Sequence, residues 1–288
     1  MLTQSIPIII MTRNENKLIR LCIESILEQT CSPFHIYIVD NNSSDEEQLN
    51  ILNGYVNHPK ITIIRNKTNL WVLGVNETLQ RVKASHQSKY FVLTDGDIEF
   101  KNKNSTTCWL SELVKYMSEY SCIGKIGLSL DWNLISSDPF YSEIYQQEQK
   151  LYDESRKIGP LYISPVDTTA AIYRWDWSIS GFEFYPDHIR YLRPEMYSCR
   201  TPRDFTVEHH GWLSYKDIFE PKKLDEKIKC FTLMGADIKK TQIKMVNYRI
   251  RLFYLLLAKP MKVFWGMRRR FFLLSYFLSK GLRKFDNH

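Results

Sequence analysis

Residues 90–97 read Tyr-Phe-Val-Leu-Thr-Asp-Gly-Asp, a short apolar run that ends in two acids. An apolar run of this length predicts a buried strand. Asp95 and Asp97 then lie one residue apart at its carboxyl end, where their oxygens can hold a hard divalent cation. An isolated D-x-D is also a common composition of solvated turns, so the flanking sequence has to distinguish a metal site from a turn.

Strands and helices alternate over the first hundred residues. Apolar runs predict strands at 6–11, 35–39, 60–65 and 90–94, and helical spacing predicts helices at 18–29, 46–55 and 75–85. Polar residues follow the carboxyl ends of the strands. This alternation predicts an α/β fold with a parallel sheet, and ligands of such sheets bind beyond the carboxyl ends of the strands.

The pattern is less regular beyond residue 100. A helix is predicted at 109–120, and strands are predicted at 123–130, 161–166 and, after a turn, 171–174. Residues 175–215 are rich in Trp, Tyr, His, Pro and Arg without a clear period. We find no internal repeat and no linker that divides two domains.

Composition excludes several classes of protein. The chain has 288 residues, 44% hydrophobic and 14% aromatic, which excludes wholesale disorder. No apolar run reaches ~18 residues, so no membrane-spanning helix is expected, and Met1–Ser5 lacks the basic region of a secretory signal. The six cysteines form no C-x-x-C pair and fit reduced thiols. The sequence also lacks G-x-G-x-x-G, Walker A and H-E-x-x-H motifs.

Positive charge is concentrated at the C-terminus. Residues 239–288 carry thirteen basic residues and one acid, a net charge of +12 that follows a body of −5. Apolar residues three or four apart predict one apolar helix face here, formed by Phe264, Met267, Phe271, Leu274, Leu278, Leu282 and Phe285. A second apolar segment at 252–258 is predicted to form a separate helix, because Pro260 lies between the two.

Basic residues that flank an apolar helix face are typical of helices that lie in a membrane interface. We therefore predict that residues 241–288 form amphipathic membrane-associating helices, and that 249–285 contact an anionic membrane surface. The alternative is a pair of packing helices with a solvated basic face. A basic stripe can also bind nucleic acid, but the sequence has no recognised RNA or DNA module, so no nucleic-acid partner is expected.

Four elements of the first hundred residues resemble the donor half of the GT-A glycosyltransferases, in particular the family 2 type. Residues 8–15 (IIIMTRNE) resemble the first strand and T-x-N loop of that family, and 38–45 (IVDNNSSD) resemble its V-D-N-x-S-x-D element. Residues 69–76 (NLWVLGVN) resemble its N-x-G-x-x-x-A-x-N element with an enlarged gap before Gly74, and 91–97 (FVLTDGD) include its metal-binding D-x-D.

The resemblance implies a GT-A fold, a Rossmann-like mostly parallel sheet flanked by helices, over residues 1–240, followed by the basic amphipathic tail. Residues 1–100 would form the nucleotide-sugar half and 101–240 the acceptor half. The implied donor-binding residues are Thr12, Asn14, Glu15, Asp40, Asn42, Asn69, Gly74 and Asp95. Asp40 would meet the uracil or ribose of a UDP-sugar, and Asp95 and Asp97 would hold Mn²⁺ or Mg²⁺. Alternatively, Asp40 is a turn acid and Asn14 a helix cap.

The general base is harder to assign. An inverting transferase needs a base that deprotonates the acceptor hydroxyl, and the E-D pair common in the family is absent. Residues 166–174 (VDTTAAIYR) resemble a D-T-T-x-A-x-Y-R segment of some bacterial polysaccharide transferases, and 208–212 (EHHGW) resemble the H-x-x-W that follows it. Asp167, Glu208 and His209 are therefore the catalytic candidates, and His209 is alternatively a metal ligand. Nearby aromatic residues either stack on sugars or belong to the core: Trp175, Trp177, Tyr185 and Trp212.

These observations predict a metal-dependent inverting glycosyltransferase that moves a sugar to a lipid-linked or polysaccharide acceptor. The resemblance implies a role in bacterial surface-polysaccharide or lipopolysaccharide biosynthesis, with the enzyme peripheral on the cytoplasmic face of the plasma membrane. A nucleotidyltransferase would need a glycine- and lysine-rich phosphate loop, which residues 12–15 do not supply. A non-catalytic membrane scaffold is the other alternative, against which Asp95 and Asp97 argue.

Overall fold

A computed structural model describes residues 5–29, 32–101, 108–189, 192–213 and 221–281. The strands are β1 (Ile6–Thr12), β2 (Phe34–Asp40), β3 (Ile61–Arg65), β4 (Tyr90–Asp95), β5 (Ile98–Glu99), β6 (Ile123–Gly127), β7 (Ser129–Leu130), β8 (Lys157–Ile158), β9 (Leu161–Ile163), β10 (Ala171–Arg174), β11 (Tyr197–Arg200) and β12 (Thr206–His209). The α-helices are α1 (Leu18–Gln29), α2 (Glu46–Gly54), α3 (Asn76–Ser85), α4 (Trp109–Glu119), α5 (Asn133–Ser137), α6 (Ser142–Gln149), α7 (Pro221–Leu233), α8 (Lys240–Met245) and α9 (Tyr248–Lys280).

The large sheet has nine described strands in the order β3-β2-β1-β4-β10-β6-β11-β9-β8. β1 runs parallel to β2 and β4, and β2 runs parallel to β3, as the alternating pattern predicts. The carboxyl ends of these strands therefore meet at one edge. β10 is antiparallel to both β4 and β6, so the sheet is mixed beyond β4. The predicted α/β class, a large sheet flanked by helices, is confirmed.

The central strand β1 is continuously apolar instead of alternating because both of its faces are covered. Ile8 and Ile10 are fully buried in a core cluster that includes α1, and Ile9 is fully buried in a second cluster that includes α3. A strand that is covered on both faces needs apolar residues at successive positions. The site residues at its carboxyl end are thus carried by a thoroughly buried strand.

A smaller sheet lies in the less regular half. β12 is antiparallel to β5 and parallel to β7. This pairing sets Glu208 opposite Glu99 and His209 opposite Ile98. Because β5 begins directly after Asp97, the small sheet brings residues 208–210 to the carboxyl end of β4.

The prediction that Pro260 separates two helices is wrong, because α9 runs unbroken through it for 33 residues. A proline inside a helix removes one hydrogen bond and costs about 3 kcal/mol. Contacts on both sides of the proline hold the helix: Ile250 packs against α7, and Arg268 pairs with the buried Asp187 at 2.5 Å. Leu282 and Phe285 of the predicted stripe lie outside the described residues.

No helix in the described part of the chain combines the length and the apolar character that crossing a bilayer requires.

Candidate active site

The loop that follows β1 is tied to the loop that follows β2 by Asn14. The Asn14 side-chain oxygen accepts hydrogen bonds from the backbone amides of Ser44 (2.8 Å) and Asp45 (3.1 Å). The Asn14 backbone amide in turn donates to Ser43 Oγ at 3.0 Å. Asn14 adopts the left-handed backbone conformation, with φ of 54°, which asparagine tolerates. Its side chain therefore joins the loops at the carboxyl ends of β1 and β2.

Asp40 ends β2 and is buried, with 2% of its surface exposed. One carboxylate oxygen, Oδ1, accepts from Ser43 Oγ at 2.5 Å and from Gln48 Nε2 at 3.3 Å. The turn interaction that the sequence offered as an alternative is thus present. The other oxygen has no hydrogen bond among the described residues, which leaves it available to a ligand.

Asn41 and Asn66, which were not among the predicted site residues, join the loops after β2 and β3 to the segment 71–74. Asn66 Nδ2 donates to Asn41 Oδ1 at 2.8 Å and to the Gly74 carbonyl at 3.2 Å, and Asn41 Nδ2 donates to the Trp71 carbonyl at 3.0 Å. A Cβ on Gly74 would collide with Asn41 Oδ1, so a larger residue here would disturb the asparagine pair. The first asparagine of the V-D-N-N motif was the available signal, whereas the prediction named its neighbour Asn42.

The remaining predicted asparagines, Asn42 and Asn69, do not take part in these hydrogen bonds. Asn42 is exposed, with φ of 62°. Asn69 caps a local turn, since its Oδ1 accepts from the Trp71 amide at 3.1 Å.

Thr12 and Glu15 meet the D-x-D segment from the β1 side. Thr12 Oγ1 donates to Glu15 Oε2 at 2.6 Å. A Cβ on Gly96 would collide with the same Glu15 oxygen and would lie 3.0 Å from Thr12 Oγ1, so a larger residue here would displace the Glu15 side chain. Burial raises the pKa of Glu15 well above its usual value, and the negative charge of Asp97 raises it further.

Asp95 lies at the end of β4 under two threonines. Its carboxylate accepts from Thr169 Oγ1 at 2.8 Å and from Thr168 Oγ1 at 3.5 Å. Burial raises the pKa of Asp95 to about 7, and the charges of Asp97 and Asp167 add to the rise. Neighbouring carboxylates therefore oppose the ionisation of Asp95 and Glu15, a situation that a bound cation relieves.

The side chains of Asp97 and His209 both lie close to Gly211. A Cβ on Gly211 would collide with Asp97 Oδ2 and would lie 2.8 Å from His209 Cε1. Asp97 Oδ1 and His209 Nδ1 are both buried without a hydrogen-bond partner in the part of the chain that the structure describes. Asp97 Oδ1 and His209 Nδ1 are thus two uncommitted atoms near Asp95, of the types that a divalent cation such as Mn²⁺ accepts as ligands.

Glu208 and His209 point to opposite faces of β12, because successive side chains of a strand alternate. The Glu208 carboxylate instead lies near Glu99 and His210. The Nε2 atom of His210 is 2.8 Å from Glu99 Oε2 and 3.8 Å from Glu208 Oε2. Of the three predicted catalytic residues, the structure therefore brings Asp167 and His209 to Asp95 and Asp97 and places Glu208 in a separate cluster.

Three side chains donate hydrogen bonds to the backbone carbonyls of the loop that carries Asp167. Arg200 Nε donates to the Pro165 carbonyl (3.3 Å), Lys125 Nζ to the Val166 carbonyl (2.5 Å) and Tyr173 Oη to the Asp167 carbonyl (2.6 Å). All three donors are buried, and burial lowers the pKa of Lys125 to about 7. The exposed Asp167 carboxylate therefore projects from a rigid backbone.

The aromatic residues divide between the core and the site. Trp175 and Trp177 are buried in the cluster with Phe91, so the core interpretation applies to them. Tyr185 lies under Arg268, 4.2 Å from its guanidinium carbon. Trp212 stacks on the His209 ring, with centroids 4.9 Å apart, and thereby orients it.

Replacing Gly211 by alanine is expected to weaken Mn²⁺ binding by about 10- to 100-fold, the usual effect of displacing the support of a metal ligand. The added methyl group would push Asp97 and His209 apart. Mn²⁺ titration followed by electron paramagnetic resonance measures this affinity. Gly266→Ala is the matched control, since a Cβ there meets nothing within 4 Å, and unchanged affinity in Gly211→Ala would contradict this geometry.

Comparisons with known proteins agree with this architecture. The model of glycosyl transferase family 2 matches residues 8–158, more than half of the chain. Among solved structures, the mannosyltransferase PcManGT from Pyrobaculum calidifontis, in complex with GDP-mannose and Mn²⁺, superposes with a TM-score of 0.51 at 12% identity, covering 97% of this chain and 76% of that chain. S. aureus TarS (residues 1–349) superposes with a TM-score of 0.47 at 15% identity, covering 84% and 69%.

A search of curated proteins finds no match. At 12% identity, the likeness to the mannosyltransferase shows the shared fold alone. The family is shown by its own model, whose matched region runs from within β1 to the end of β8 and includes the D-x-D segment. The chain is a glycosyltransferase and belongs to glycosyl transferase family 2.

Proposed function

We propose that this glycosyltransferase is a metal-dependent, inverting enzyme that uses a nucleotide-sugar donor, UDP-linked, and transfers the sugar to an acceptor hydroxyl. The observation that carries the proposal is the pair of orphaned buried atoms, Asp97 Oδ1 and His209 Nδ1, beside the carboxylate of Asp95. The mannosyltransferase of similar fold was solved with a nucleotide sugar and Mn²⁺, which adds support.

Asp95, Asp97 and His209 would hold Mn²⁺ or Mg²⁺. When bound, the cation neutralises the charge that develops on the departing diphosphate. Thr168 and Thr169 keep the Asp95 carboxylate oriented through their hydroxyl groups. On the nucleoside side, the uncommitted oxygen of Asp40 accepts a hydrogen bond from the uracil or ribose, while Asn14 and the Asn41–Asn66 pair fix the surrounding loops.

Asp167 is the general base in this proposal. Its carboxylate is exposed, while the backbone beneath it is held by Lys125, Tyr173 and Arg200. The acceptor hydroxyl loses its proton to Asp167 as its oxygen attacks the anomeric carbon, and the bond to the nucleotide diphosphate breaks on the opposite face. Direct displacement inverts the anomeric configuration. The proposal does not assign this role to Glu208, because its carboxylate lies with Glu99 and His210.

The donor proposal is tested by calorimetric titration of UDP, GDP, CDP and ADP into the native chain, with Mn²⁺ and with EDTA. We expect UDP to bind most tightly, and only when Mn²⁺ is present. Preferred binding of another nucleotide would overturn the UDP assignment, and equal binding in EDTA would overturn the metal requirement.

We also propose that the enzyme binds an anionic membrane surface through α9. The face of α9 opposite its contacts with α7 and Asp187 is apolar and exposed, and its largest members are Leu252, Leu255, Leu256, Val263, Phe264, Met267, Phe271, Leu274 and Leu278. Arg251, Lys262, Arg269 and Lys280 follow one another at eleven, seven and eleven residues. These steps are close to whole helical turns, so the four residues form a row along one side of α9, in which Lys262 pairs with Asp237.

Such a helix lies in the plane of the interface, with its apolar face in the acyl boundary and its cations among the headgroups. The proposal assigns the enzyme to the cytoplasmic face of the plasma membrane, where anionic lipids attract basic segments and reduced cysteines are stable. The acceptor is then a lipid-linked or polysaccharide glycan, as in the biosynthesis of bacterial surface polysaccharide, lipopolysaccharide or capsule.

The double substitution Phe271→Asp and Leu278→Asp is expected to weaken binding to phosphatidylglycerol vesicles by at least about a hundredfold, because burying one such side chain contributes about 1.5–3 kcal/mol. Both residues are exposed, so the fold should tolerate the change. Vesicle sedimentation measures the binding. Val56→Asp is the control, because Val56 is a similarly exposed apolar residue that lies outside α9. Unchanged sedimentation of the double variant would contradict the proposal.

A further inference from the structure

A second group of side chains suited to a ligand lies in the acceptor half, on elements to which the sequence patterns assign no role. Trp132 follows β7, Tyr145 and Glu148 lie on α6, Tyr152 follows α6 and Arg203 follows β11. We call these five residues the Trp132 cluster. None of them is fully exposed, and each is partly accessible at the protein surface.

The Trp132 cluster is built around one indole ring. The Arg203 guanidinium carbon lies 3.0 Å from the Trp132 ring centroid and 5.6 Å from the centroid of Tyr152. Tyr145 and Tyr152 meet Trp132 edge to face, each with centroids 5.4 Å apart. Tyr152 is anchored to β7, because its hydroxyl lies 2.9 Å from Ser129 Oγ. The ring planes are therefore held in place by mutual packing.

Several buried polar atoms of the Trp132 cluster lack a hydrogen-bond partner within the described ranges. Glu148 Oε2 and the Nε and NH1 atoms of Arg203 are buried without a hydrogen-bond partner among the residues that the structure describes. Burial raises the pKa of Glu148, and the positive charge of Arg200 opposes the rise. Buried polar groups in folded proteins are nearly always satisfied, and groups that are not indicate a ligand or water.

Strand pairing places the Trp132 cluster beside the proposed metal ligands. β7 and β12 are parallel, with Leu130 level with Val207. The Asp131 amide donates to the Val207 carbonyl at 2.8 Å, which carries the pairing one residue further. In this register Trp132 comes level with His209. The cluster therefore borders the acceptor side of the site.

A buried arginine links the Trp132 cluster to the proposed base. Arg200 holds the loop of Asp167 through the Pro165 carbonyl, and its charge interacts with the carboxylates of both Glu148 and Asp167. A ligand in the cluster is thus close to the group that would deprotonate it.

We propose that Trp132, Glu148 and Arg203 form the subsite for the terminal sugar of the acceptor, so that the acceptor is a pyranoside and not a bare polyprenyl phosphate. This inference rests on the proposed function. A carboxylate accepts hydrogen bonds from sugar hydroxyls, a guanidinium donates to them, and the indole offers an apolar surface to the ring carbons. An aromatic wall with a few converging polar groups is the usual composition of a small-molecule site.

The choice of sugar over phosphate follows from Glu148. A phosphate in the Trp132 cluster would bring anionic oxygens against a second anion, which is unfavourable in a partly buried site. Neutral hydroxyls carry no such penalty and satisfy both the carboxylate and the guanidinium.

The test measures nucleotide release from the donor that the native chain hydrolyses. Methyl glycosides of glucose, galactose, mannose and N-acetylglucosamine, and undecaprenyl phosphate in detergent, are added as acceptors. Glu148→Gln, which keeps the side-chain shape, is compared with Glu143→Gln, a change of an exposed acid on the same helix. Glu143 forms only a surface ion pair with Lys239, at 3.1 Å, and such pairs contribute little to stability. Trp132→Phe is a further variant, and thermal unfolding shows that each variant is folded.

We expect at least one methyl glycoside to stimulate release in the native chain. Glu148→Gln and Trp132→Phe should each raise its KM, the former at least about tenfold, as expected for the loss of hydrogen bonds to a charged group. Glu143→Gln should leave both this KM and the hydrolysis without acceptor unchanged. Stimulation by undecaprenyl phosphate alone, by no glycoside, or equally in Glu148→Gln would overturn the subsite. Absence of any donor hydrolysis in the native chain would instead contradict the proposed function.

Discussion

Replacing Asp97 by asparagine is expected to lower metal-dependent turnover of the nucleotide sugar by at least about a hundredfold, because metal charge stabilisation supplies several kcal/mol to such a reaction. The substitution keeps the shape of the side chain but removes the charge next to His209 and Asp95. Since Asp97 Oδ1 has no partner within the described residues, little hydrogen bonding in the protein itself is lost. The fold should therefore survive.

Turnover at saturating Mn²⁺ and Mn²⁺ affinity should both be measured for this variant. Asp153→Asn is the matched control, because Asp153 is an exposed acid whose side chain bonds to the adjacent turn residue Ser155. Full activity of Asp97→Asn, with unchanged Mn²⁺ affinity, would show that the D-x-D segment does not bind the metal.

Replacing Asp167 by asparagine is expected to lower kcat for sugar transfer by about 10²- to 10⁴-fold, the contribution typical of a general base. Donor and Mn²⁺ affinities should be retained, because Asp167 is neither part of the nucleoside loops nor one of the proposed metal ligands. The hydrogen bond from the Thr169 amide to Asp167 Oδ1, at 3.1 Å, can be kept by the amide oxygen of asparagine. The loss should therefore appear in kcat and in the pH profile and not in stability.

Glu208→Gln provides the comparison, since Glu208 was the other carboxylate candidate and lies with Glu99 and His210. It is expected to retain most of the turnover. If Glu208→Gln abolished transfer while Asp167→Asn remained active, the assignment of the base would have to be reversed.

The first half of the fold was predictable because parallel strands impose strong local patterns. The run around Ile9 is apolar at successive positions, since β1 is covered on both faces, and the polar residues that follow β1, β2 and β4 converge because those strands are parallel neighbours. The strand pattern alone therefore sufficed to place Asp40, Asp95 and Asp97 at one edge of the sheet.

The second half could not be predicted in the same way. β5, β7 and β12 have two to four residues each, too few to show a period. Whether Glu208 or His209 faces the site depends on the alternation of one short strand. Lysine is ordinarily found at protein surfaces, so its residue type does not indicate that Lys125 supports the loop of Asp167. The hydrogen bond to the distant Val166 carbonyl identifies this role.

The C-terminal helix illustrates a local rule that tertiary contacts override. Proline generally ends a helix, yet α9 continues through Pro260 because α7 and Asp187 hold its two halves. The spacing of apolar residues predicted the exposed stripe correctly from Phe264 to Leu278. The sequence could not reveal the buried partner of Arg268, which lies 81 residues away.

Mn²⁺-dependent hydrolysis of a panel of nucleotide sugars by the native full chain tests the metal-dependent donor chemistry without any knowledge of the acceptor. We predict that at least one UDP-sugar is hydrolysed, that EDTA stops the reaction, and that added Mn²⁺ restores it. A folded protein that neither binds nor hydrolyses any member of the panel in the presence of Mn²⁺ would contradict the metal-dependent transfer proposed for this site.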